Sequence, residues 1–205
     1  MINLDITDNG LWTVTLNRPD KANALTGAML EQLCEIAVRA QAARGMIVTG
    51  TGRVFSAGAD LDAARAGLAT SPLWEQLSGA IADLPCLTVA ALNGTLAGGA
   101  NGMALACDLR IAVPTAKVFY PVMKLGYRPQ PSDAIRMSAL IGPARTKLIL
   151  AAGQKIDAEE ARIFGLIDRI VPAEELMNCA RDLMADVLGS ETQLAHAILA
   201  DCTRS

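Results

Sequence analysis

Aromatic residues and clustered charges are scarce in this sequence. Aromatic residues make up 3% of the 205 residues, whereas apolar residues make up 52%, so small and aliphatic side chains must build the core. The formal net charge is −3 and no basic run is present, which argues against nucleic acid as a partner. No apolar stretch reaches the length that crosses a bilayer, so we expect no membrane partner.

The patterns of a metal site, a disulfide framework and a secretory leader are also missing. The five cysteines are scattered through apolar segments, and the single histidine, His196, has no partner at metal-ligand spacing. The cysteines are therefore expected to be buried reduced thiols, which is typical of a cytoplasmic protein. The first residues contain Asp5 and no apolar leader, so no signal peptide is expected.

Strand and helix patterns alternate along most of the chain, which predicts an α/β fold. Two alternating segments flank the turn signal Asp8-Asn9-Gly10, which indicates a hairpin. Thr26 is placed to cap the first helix, and Asp157 with Glu160 forms a capping-box pattern for a later one. No linker interrupts the pattern, so we predict one domain over 1–205, with a core over about 1–172 and a helical tail over about 173–205.

Other boundaries follow from glycine and proline positions. The pattern predicts a helix from Leu73 to Leu84, an extended segment from Val118 to Met123, a helix that Ser132 or Asp133 caps and that ends at Gly142, and a strand from Leu166 to Val171.

The stretch from Leu84 to Asp108 is the most informative part of the chain. An unbroken apolar run from Cys86 to Leu92 predicts a strand buried on both faces. Asn93-Gly94 then turns the chain into a helix that starts at Gly98-Gly99. Free N–H groups and the positive dipole end at a glycine-rich helix start favour negative charge on oxygen. This stretch therefore predicts a site for an oxyanion.

The loop Gly50-Thr51-Gly52 also follows a strand and resembles the start of a dinucleotide-binding motif. Phe55 stands where that motif needs its third glycine, and no amphipathic helix starts there. We therefore do not expect a dinucleotide cofactor.

Four stretches together resemble the crotonase superfamily, the enoyl-CoA hydratase/isomerase family. They are Asn17-Arg18-Pro19 with Asn23-Ala24-Leu25, Phe55 to Leu61, Asn93-Gly94 with Gly98-Gly99 and Cys107-Asp108, and, more weakly, Ile156 to Val171. The resemblance covers nearly the whole chain. It implies a spiral of ββα units, assembly as a homotrimer or hexamer, and an acyl-CoA substrate whose coenzyme A is the only cofactor-like group.

The resemblance also assigns residues. It places the two oxyanion-binding N–H groups on Ala59 and Gly99, and the binding of the adenine end of coenzyme A on the backbone around Ala22, Ala57, Asp60 and Leu61. Tyr127 is expected to form a wall of the acyl pocket.

The sequence departs from the hydratase pattern at both glutamates. Gly102 stands in place of the first and Val122 in place of the second. Neither side chain can move a proton, so efficient hydration is not expected. Gln130 matches the position of an aspartate that some family members use, and it is not a base either. The ionisable candidates left are Asp62, Tyr120, Tyr127 and Asp133, and Asp133 is most simply a helix cap.

Two functional hypotheses remain. The first is an acyl-CoA enzyme of fatty acid metabolism, a lyase or isomerase type, that stabilises a thioester enolate and catalyses isomerisation, decarboxylation or thioester hydrolysis. The second is a non-catalytic relative that binds acyl-CoA or serves as a partner subunit. The missing glutamates favour the second hypothesis. So does the C-terminus, which is expected to lack the helices that cover the acyl pocket in usual members.

Overall fold

The predicted central strand lies in the middle of a six-stranded sheet in the computed structural model, which describes residues 1–203. The strand order is β1-β2-β3-β5-β7-β10, and the bounds are β1 Ile2–Ile6, β2 Leu11–Leu16, β3 Gly45–Gly50, β5 Leu87–Leu92, β7 Leu109–Ala112 and β10 Arg169–Ile170. All neighbours are parallel except the β1–β2 hairpin. The segment Val89 to Leu92 is completely buried, as expected for a strand covered on both faces.

A smaller sheet of four strands alternates along the chain with the large one. Its order is β4-β6-β8-β9, and the bounds are β4 Val54–Ser56, β6 Thr95–Ala97, β8 Lys117–Phe119 and β9 Ile156–Asp157. The strands β4, β6 and β8 pair in parallel.

Nine α-helices lie in the described part of the chain: α1 Gly27–Arg39, α2 Leu61–Arg65, α3 Leu73–Ala82, α4 Ala100–Ala106, α5 Val122–Leu125, α6 Pro131–Leu150, α7 Ala158–Phe164, α8 Leu176–Gly189 and α9 Thr192–Thr203. The order β3-β4-α2, β5-β6-α4, β7-β8-α5 repeats one strand of each sheet and then a helix. The predicted α/β class and ββα repetition are therefore confirmed.

Several local predictions are also confirmed. Thr26 accepts a hydrogen bond from the Met29 amide at the start of α1, and Asp157 accepts one from the Glu160 amide at the start of α7. The chain departs from helical geometry at Gly142, where φ is +78°. The N-terminal hairpin pairs Ile2 with Leu16 and continues in register to Ile6 with Trp12.

The short strands of the small sheet were not predicted, apart from Val118 and Phe119 of β8, which lie in the predicted extended segment. The loop from Gly50 to Leu61 contains β4, and the segment between Asn93-Gly94 and the glycine-rich helix contains β6. Each has three residues, too few for alternation to be visible. They form strands because segments about 40 residues apart in the sequence pair with each other.

Three boundaries differ from the prediction. Val122 belongs to the single helical turn α5 rather than to an extended segment. The predicted strand is shorter, at Arg169–Ile170, although the amides of Asp168 and Val171 also donate to the Arg110 and Ala112 carbonyls of β7 at 2.8 and 2.9 Å. The capping role predicted for Ser132 or Asp133 is wrong, because α6 begins at Pro131 and Gln130 precedes it without a side-chain cap. Asp133 instead lies within the first turn and is completely buried.

Candidate functional site

One cavity of about 340 Å³ lies where the loop after β4, the helix start of α4 and the end of β8 meet. Most of its wall is apolar. The lining residues are Ala57, Ala59, Leu61, Ala64, Arg65, Ala69, Trp74, Ala97, Gly98, Gly99, Phe119, Tyr120, Pro121, Val122, Leu125, Tyr127 and Arg128. Such a wall suits an acyl chain, and few polar groups are available to orient it.

The two turns predicted to carry the oxyanion-binding amides are in direct contact. Gly58 has φ of +87°, and a Cβ atom on it would lie 2.9 Å from the Ala97 carbonyl oxygen and 3.4 Å from the Gly99 nitrogen. Gly98 has φ of +58°, a left-handed conformation that glycine adopts at little cost. Glycine at position 58 therefore allows the two backbone segments to approach each other.

The amides of Ala59 and Gly99 have no hydrogen-bond acceptor within residues 1–203. The neighbouring groups are occupied, since Leu25 donates to the Gly58 carbonyl and Asp60 donates to the Leu25 carbonyl, both at 2.8 Å. Gly98 donates to the Phe119 carbonyl at 3.2 Å. Buried or half-buried N–H groups normally have a partner, so two free donors beside one cavity are available to an oxygen atom of a ligand.

Polar side chains from distant motifs hold the loop that carries Ala59. Asn23 is completely buried and donates to the carbonyls of Thr51 and Val54 at 2.9 and 2.7 Å. Ser56 donates to the Asn23 carbonyl at 2.9 Å and accepts from the Gly58 amide at 3.1 Å. The motif residues Asn23 and Ser56 therefore fix the backbone of the site rather than contacting a ligand.

The Asn93-Gly94 turn braces the same loop from the other side. Asn93 accepts from the Gly50 amide at 3.0 Å and donates to the Gly52 carbonyl at 2.9 Å. A Cβ atom on Gly94 would lie 1.9 Å from the Arg53 carbonyl oxygen, so no other residue fits at position 94.

Trp74 covers the start of α4. A Cβ atom on Gly99 would lie 3.0 Å from the indole ring, and the indole N–H donates to the Leu68 carbonyl at 2.8 Å. The ring therefore restricts which ligand atoms can approach the Gly99 amide.

The predicted substrate-binding residues divide into two groups. Ala57, Leu61 and Tyr127 line the cavity. Ala22 does not, and its carbonyl accepts from the Ala57 amide at 3.0 Å. Asp60 does not line it either. Its side chain accepts from the amides of Asp62 and Ala63 at the start of α2 and pairs with Arg18 at 2.7 Å. The Arg18 guanidinium is the main cause that lowers the pKa of Asp60, which indicates a structural side chain.

The two positions without glutamate also differ from each other. Val122 lines the cavity, whereas Gly102 is buried in α4 and lies outside the lining. A Cβ atom on Gly102 would lie 2.6 Å from Asp133 Oδ1, so the Asp133 carboxyl occupies the space next to this position. Gln130 is half-buried and lies outside the lining.

Asp133 pairs with a side chain of the cavity wall. Tyr120 donates to Asp133 Oδ2 at 2.9 Å, and Asp133 Oδ1 has no partner within residues 1–203. Burial raises the pKa of Asp133 to about 7 against the opposing effect of the Tyr120 hydrogen bond. Burial, followed by the charge of Asp133, raises the pKa of Tyr120. The pair can hold a proton near neutral pH.

Sequence reasoning missed several lining residues, among them two arginines and a tryptophan. Arg65 and Arg128 are the cationic side chains of the lining, and Trp74 forms its roof over Gly99. Arg65 follows the Asp60 cap by little more than one helical turn, which is a usable signal. Arg128 lies in a proline-containing loop whose course the sequence does not specify.

Features of a metal site and of a membrane span are both absent from residues 1–203. No group of three or more histidine, cysteine, aspartate or glutamate side chains is arranged to hold a metal ion in that part of the chain. None of the helices there combines the length and the apolarity that crossing a membrane requires.

Comparison with known proteins places the whole arrangement in a family. The sequence model described as enoyl-CoA hydratase/isomerase matches residues 7–203. The ethylmalonyl-CoA decarboxylase of Bos taurus is 28% identical over 88% of this chain and 62% of its own. YngF of Bacillus subtilis, described provisionally as an enoyl-CoA hydratase/isomerase, is 37% identical over 85% of this chain and 70% of its own. The chain thus spans roughly two thirds of the length of these curated relatives.

Solved structures give the same result. The crystal structure of an enoyl-CoA hydratase from Bacillus anthracis superposes with a TM-score of 0.88 at 30% identity, over 95% of this chain and 79% of that one. A monofunctional enoyl-CoA isomerase from M. smegmatis superposes with a TM-score of 0.82 at 27% identity, over 96% and 89%. These matches confirm the crotonase fold, and the chain belongs to the enoyl-CoA hydratase/isomerase family.

Proposed function

We propose that this chain processes an acyl-CoA thioester by stabilising its enolate in a backbone oxyanion hole formed by the amides of Ala59 and Gly99. The observation that carries the proposal is that these two amides, on turns in direct contact, have no acceptor within residues 1–203 and line the same cavity. Coenzyme A is then part of the substrate, and no separate cofactor is needed.

The physical argument concerns the charge that develops on the thioester oxygen. Bond breaking at the α carbon places negative charge on that oxygen in the transition state, and fixed N–H donors stabilise it more than they stabilise the neutral thioester. One such donor typically contributes about 10²–10³ in rate. Two donors held by buried hydrogen bonds need little reorganisation as the charge forms.

The side chains favour decarboxylation among the reactions open to the family. Val122 and Gly102 carry no carboxylate, so activation of water for hydration is not supported. Decarboxylation needs enolate stabilisation and a proton donor, but no strong base. The names of the relatives include both a decarboxylase and an isomerase, and isomerisation or thioester hydrolysis is the next choice.

The test is a panel of coenzyme A thioesters analysed by mass spectrometry: methylmalonyl-CoA, ethylmalonyl-CoA, a 3-enoyl-CoA and crotonyl-CoA. Gly99→Pro removes the N–H, and the φ of −60° at this position suits proline. Gly99→Ala keeps the N–H and adds a comparable contact with Trp74. We expect Gly99→Pro to lose at least about 10² more activity than Gly99→Ala. Equal losses in the two variants would contradict the proposed role of this amide.

A non-catalytic acyl-CoA-binding or partner subunit is the second candidate, because the two positions that carry glutamate in hydratases are Gly102 and Val122. Binding of these thioesters without conversion of any of them would support it. Assembly as a homotrimer or hexamer and a place in fatty acid metabolism stay predictions of the resemblance, and a cytoplasmic location stays a prediction from the cysteine pattern.

A further inference from the structure

Tyr120 lies between the cavity and a buried carboxyl group. It follows the last residue of β8, lines the cavity with Ala59 and Gly99, and is only 5% exposed. Its hydroxyl donates to Asp133 Oδ2 at 2.9 Å. The Tyr120 phenol therefore connects the cavity to Asp133, which does not line the cavity itself.

The Asp133 carboxyl is poorly satisfied for a purely structural group. The carboxyl is completely buried, and its Oδ1 atom has no hydrogen-bond partner within residues 1–203. Its Oδ2 atom is hydrogen-bonded to the Tyr120 hydroxyl. A buried carboxylate with so few donors is costly, whereas the protonated form is tolerated. The site therefore favours a carboxyl group that carries a proton.

The charged groups around Asp133 are few and mostly occupied. Glu75 of α3 accepts from the Ser132 hydroxyl at 3.0 Å, and Arg136 of α6 donates to the same hydroxyl at 2.7 Å. The charge of Glu75 raises the pKa of Asp133 and that of Arg136 lowers it, both less than burial does. The helix α4, which packs on the other side through Gly102, has no ionisable side chain before Cys107.

The Asp133 carboxyl occupies the space that a side chain at position 102 would need. The Oδ1 atom lies 2.6 Å from where a Cβ atom of residue 102 would be, so a larger residue at 102 and the present carboxyl cannot both be accommodated. In the resemblance described above, residue 102 stands where hydratases carry their first glutamate. A carboxyl group from α6 thus occupies the region that a side chain from α4 would enter.

We propose that Tyr120 is the proton donor of this site and that Asp133 is the positioning residue that supplies its proton, in place of the glutamate absent at position 102. The inference rests on the proposed function. Tyr120 is the catalytic residue, because it lines the cavity, and Asp133 acts through it.

The proton balance is simple for a malonyl-type thioester. The bond between the α carbon and the carboxylate carbon breaks, carbon dioxide leaves, and the electron pair forms the enolate whose oxygen faces the amides of Ala59 and Gly99. Protonated Asp133 donates its Oδ2 proton to the Tyr120 oxygen across their 2.9 Å contact, which leaves the phenolic O–H free to turn toward the cavity. That O–H gives its proton to the α carbon, the Asp133 proton moves to the phenolate oxygen, and Asp133 recovers a proton from water. The reaction therefore consumes one proton and no oxidant or reductant.

The test follows the stereochemistry of protonation with methylmalonyl-CoA in D₂O. The full chain should produce propionyl-CoA with deuterium in one configuration at the α carbon, read by NMR after conversion to a chiral ester. Tyr120→Phe should give deuterium in both configurations, because solvent then protonates the enolate from either face, with turnover lower by up to about 10²–10⁴. A role of Tyr120 in packing alone would lower turnover without changing the configuration.

Asp133→Asn tests the second half of the pair through the pH profile. Wild-type turnover should fall as the pH rises through about 7, because burial raises the pKa of Asp133 to about 7 and the proton is lost above it. Asp133→Asn should lose this limb and keep the single configuration. Asp157→Asn is the matched control, since it makes the same change at an exposed helix cap far along the chain and should keep the wild-type profile.

The outcomes separate the inference from the proposed function. Turnover of methylmalonyl-CoA with unchanged configuration in Tyr120→Phe and an unchanged profile in Asp133→Asn overturns the proton-donor pair and leaves the oxyanion hole intact. Turnover confined to thioesters that lose no carbon dioxide also overturns the donor role. Absence of any thioester conversion by the wild-type chain overturns the proposed function itself. Circular dichroism and thermal unfolding verify that each variant is folded.

Discussion

The carboxyl group of Asp133 lies against the backbone of Gly102, with Oδ1 2.6 Å from where a Cβ atom of residue 102 would be. The two residues are distant in the sequence and belong to α6 and α4. A side chain at position 102 and the Asp133 carboxyl therefore exclude each other, and this coupling can be measured directly.

We expect Gly102→Ala to destabilise the fold by about 1–3 kcal/mol, because overpacking a filled core forces neighbouring atoms to move. Asp133→Gly removes the carboxyl that blocks the space. The double variant should therefore recover most of the loss, with an interaction free energy of about 0.5–3 kcal/mol in a double-mutant cycle. Urea unfolding of the four proteins measures it. Additive effects would contradict the packing described here.

We expect the stability of the fold to fall between about pH 4 and about pH 7 by an amount that depends on Asp133. Its ordinary pKa is 3.8 and burial raises it to about 7 in the fold. The folded chain therefore binds the extra proton in this window, so the stabilisation is complete below about pH 4 and lost as the pH rises through about 7. Asp133→Asn should remove this dependence, which amounts to about 1.4 kcal/mol for every tenfold difference between the acid dissociation constants of the folded and unfolded chains.

Thermal unfolding across this pH range, for the wild type and for Asp133→Asn, measures the effect. Asp157→Asn serves as the reference for a carboxyl-to-amide change at an exposed position. Identical pH dependence in all three proteins would show that Asp133 has an ordinary pKa.

We expect Gly58→Ala to separate the two turns of the site. The new Cβ atom would lie 2.9 Å from the Ala97 carbonyl oxygen, so the Ala59 loop must move away from the start of α4. Gly67→Ala is the matched control, because Gly67 also has positive φ, of +101°, but has no atom within 4 Å of its Cβ position. The left-handed backbone destabilises both variants by about 1 kcal/mol. Only Gly58→Ala should also lose activity, by about 10² or more.

Thermal unfolding measures the loss of stability in Gly58→Ala and Gly67→Ala. Kinetics on the thioester that the panel identifies measure the loss of activity in the same two variants. Equal activity losses in Gly58→Ala and Gly67→Ala would mean that contact between the turns is not what positions the amides.

We expect Tyr120 to ionise at higher pH than an ordinary tyrosine. The sequence has two tyrosines, so Tyr127→Phe leaves Tyr120 as the single phenol, and its ionisation can be followed by ultraviolet absorbance. Burial is the main cause that raises the pKa of Tyr120, and the charge of Asp133 is the next. Adding Asp133→Asn should lower the pKa while leaving it above about 10. An unchanged titration in the double variant would contradict electrostatic coupling between the two side chains.

The helices and long strands could be predicted because their signals are local. Thr26 and Asp157 cap helices as expected, and the apolar run that contains Val89 to Leu92 forms the buried central strand. The resemblance of motifs to a family pointed to the turns that carry Ala59 and Gly99, and the structure brings these two turns into contact. The strands β4 and β6 could not be predicted, because a three-residue strand is too short to show alternation of apolar and polar residues. Their pairing also joins segments that are distant in the sequence.

Asp133 shows why part of the site could not be predicted from the sequence. An aspartate after Pro131 near a helix start is locally indistinguishable from a cap, and the capping prediction was wrong. Its environment depends on Tyr120 and Gly102, which approach only after β8, α4 and α6 have packed. The lining residues Arg65 and Arg128 were missed for the same reason, since the course of their loops is set by tertiary contacts.

The sequence by itself determined the family, the class of fold and the two glycine-bearing turns, because periodicity, capping and motif spacing are properties of neighbouring residues. Only the tertiary structure decided that the amides of Ala59 and Gly99 share a cavity and that Asp133 is paired with Tyr120 rather than with a helix end. The physical reason is that free N–H groups, burial and shifted pKa values depend on which distant atoms fill the space around a group.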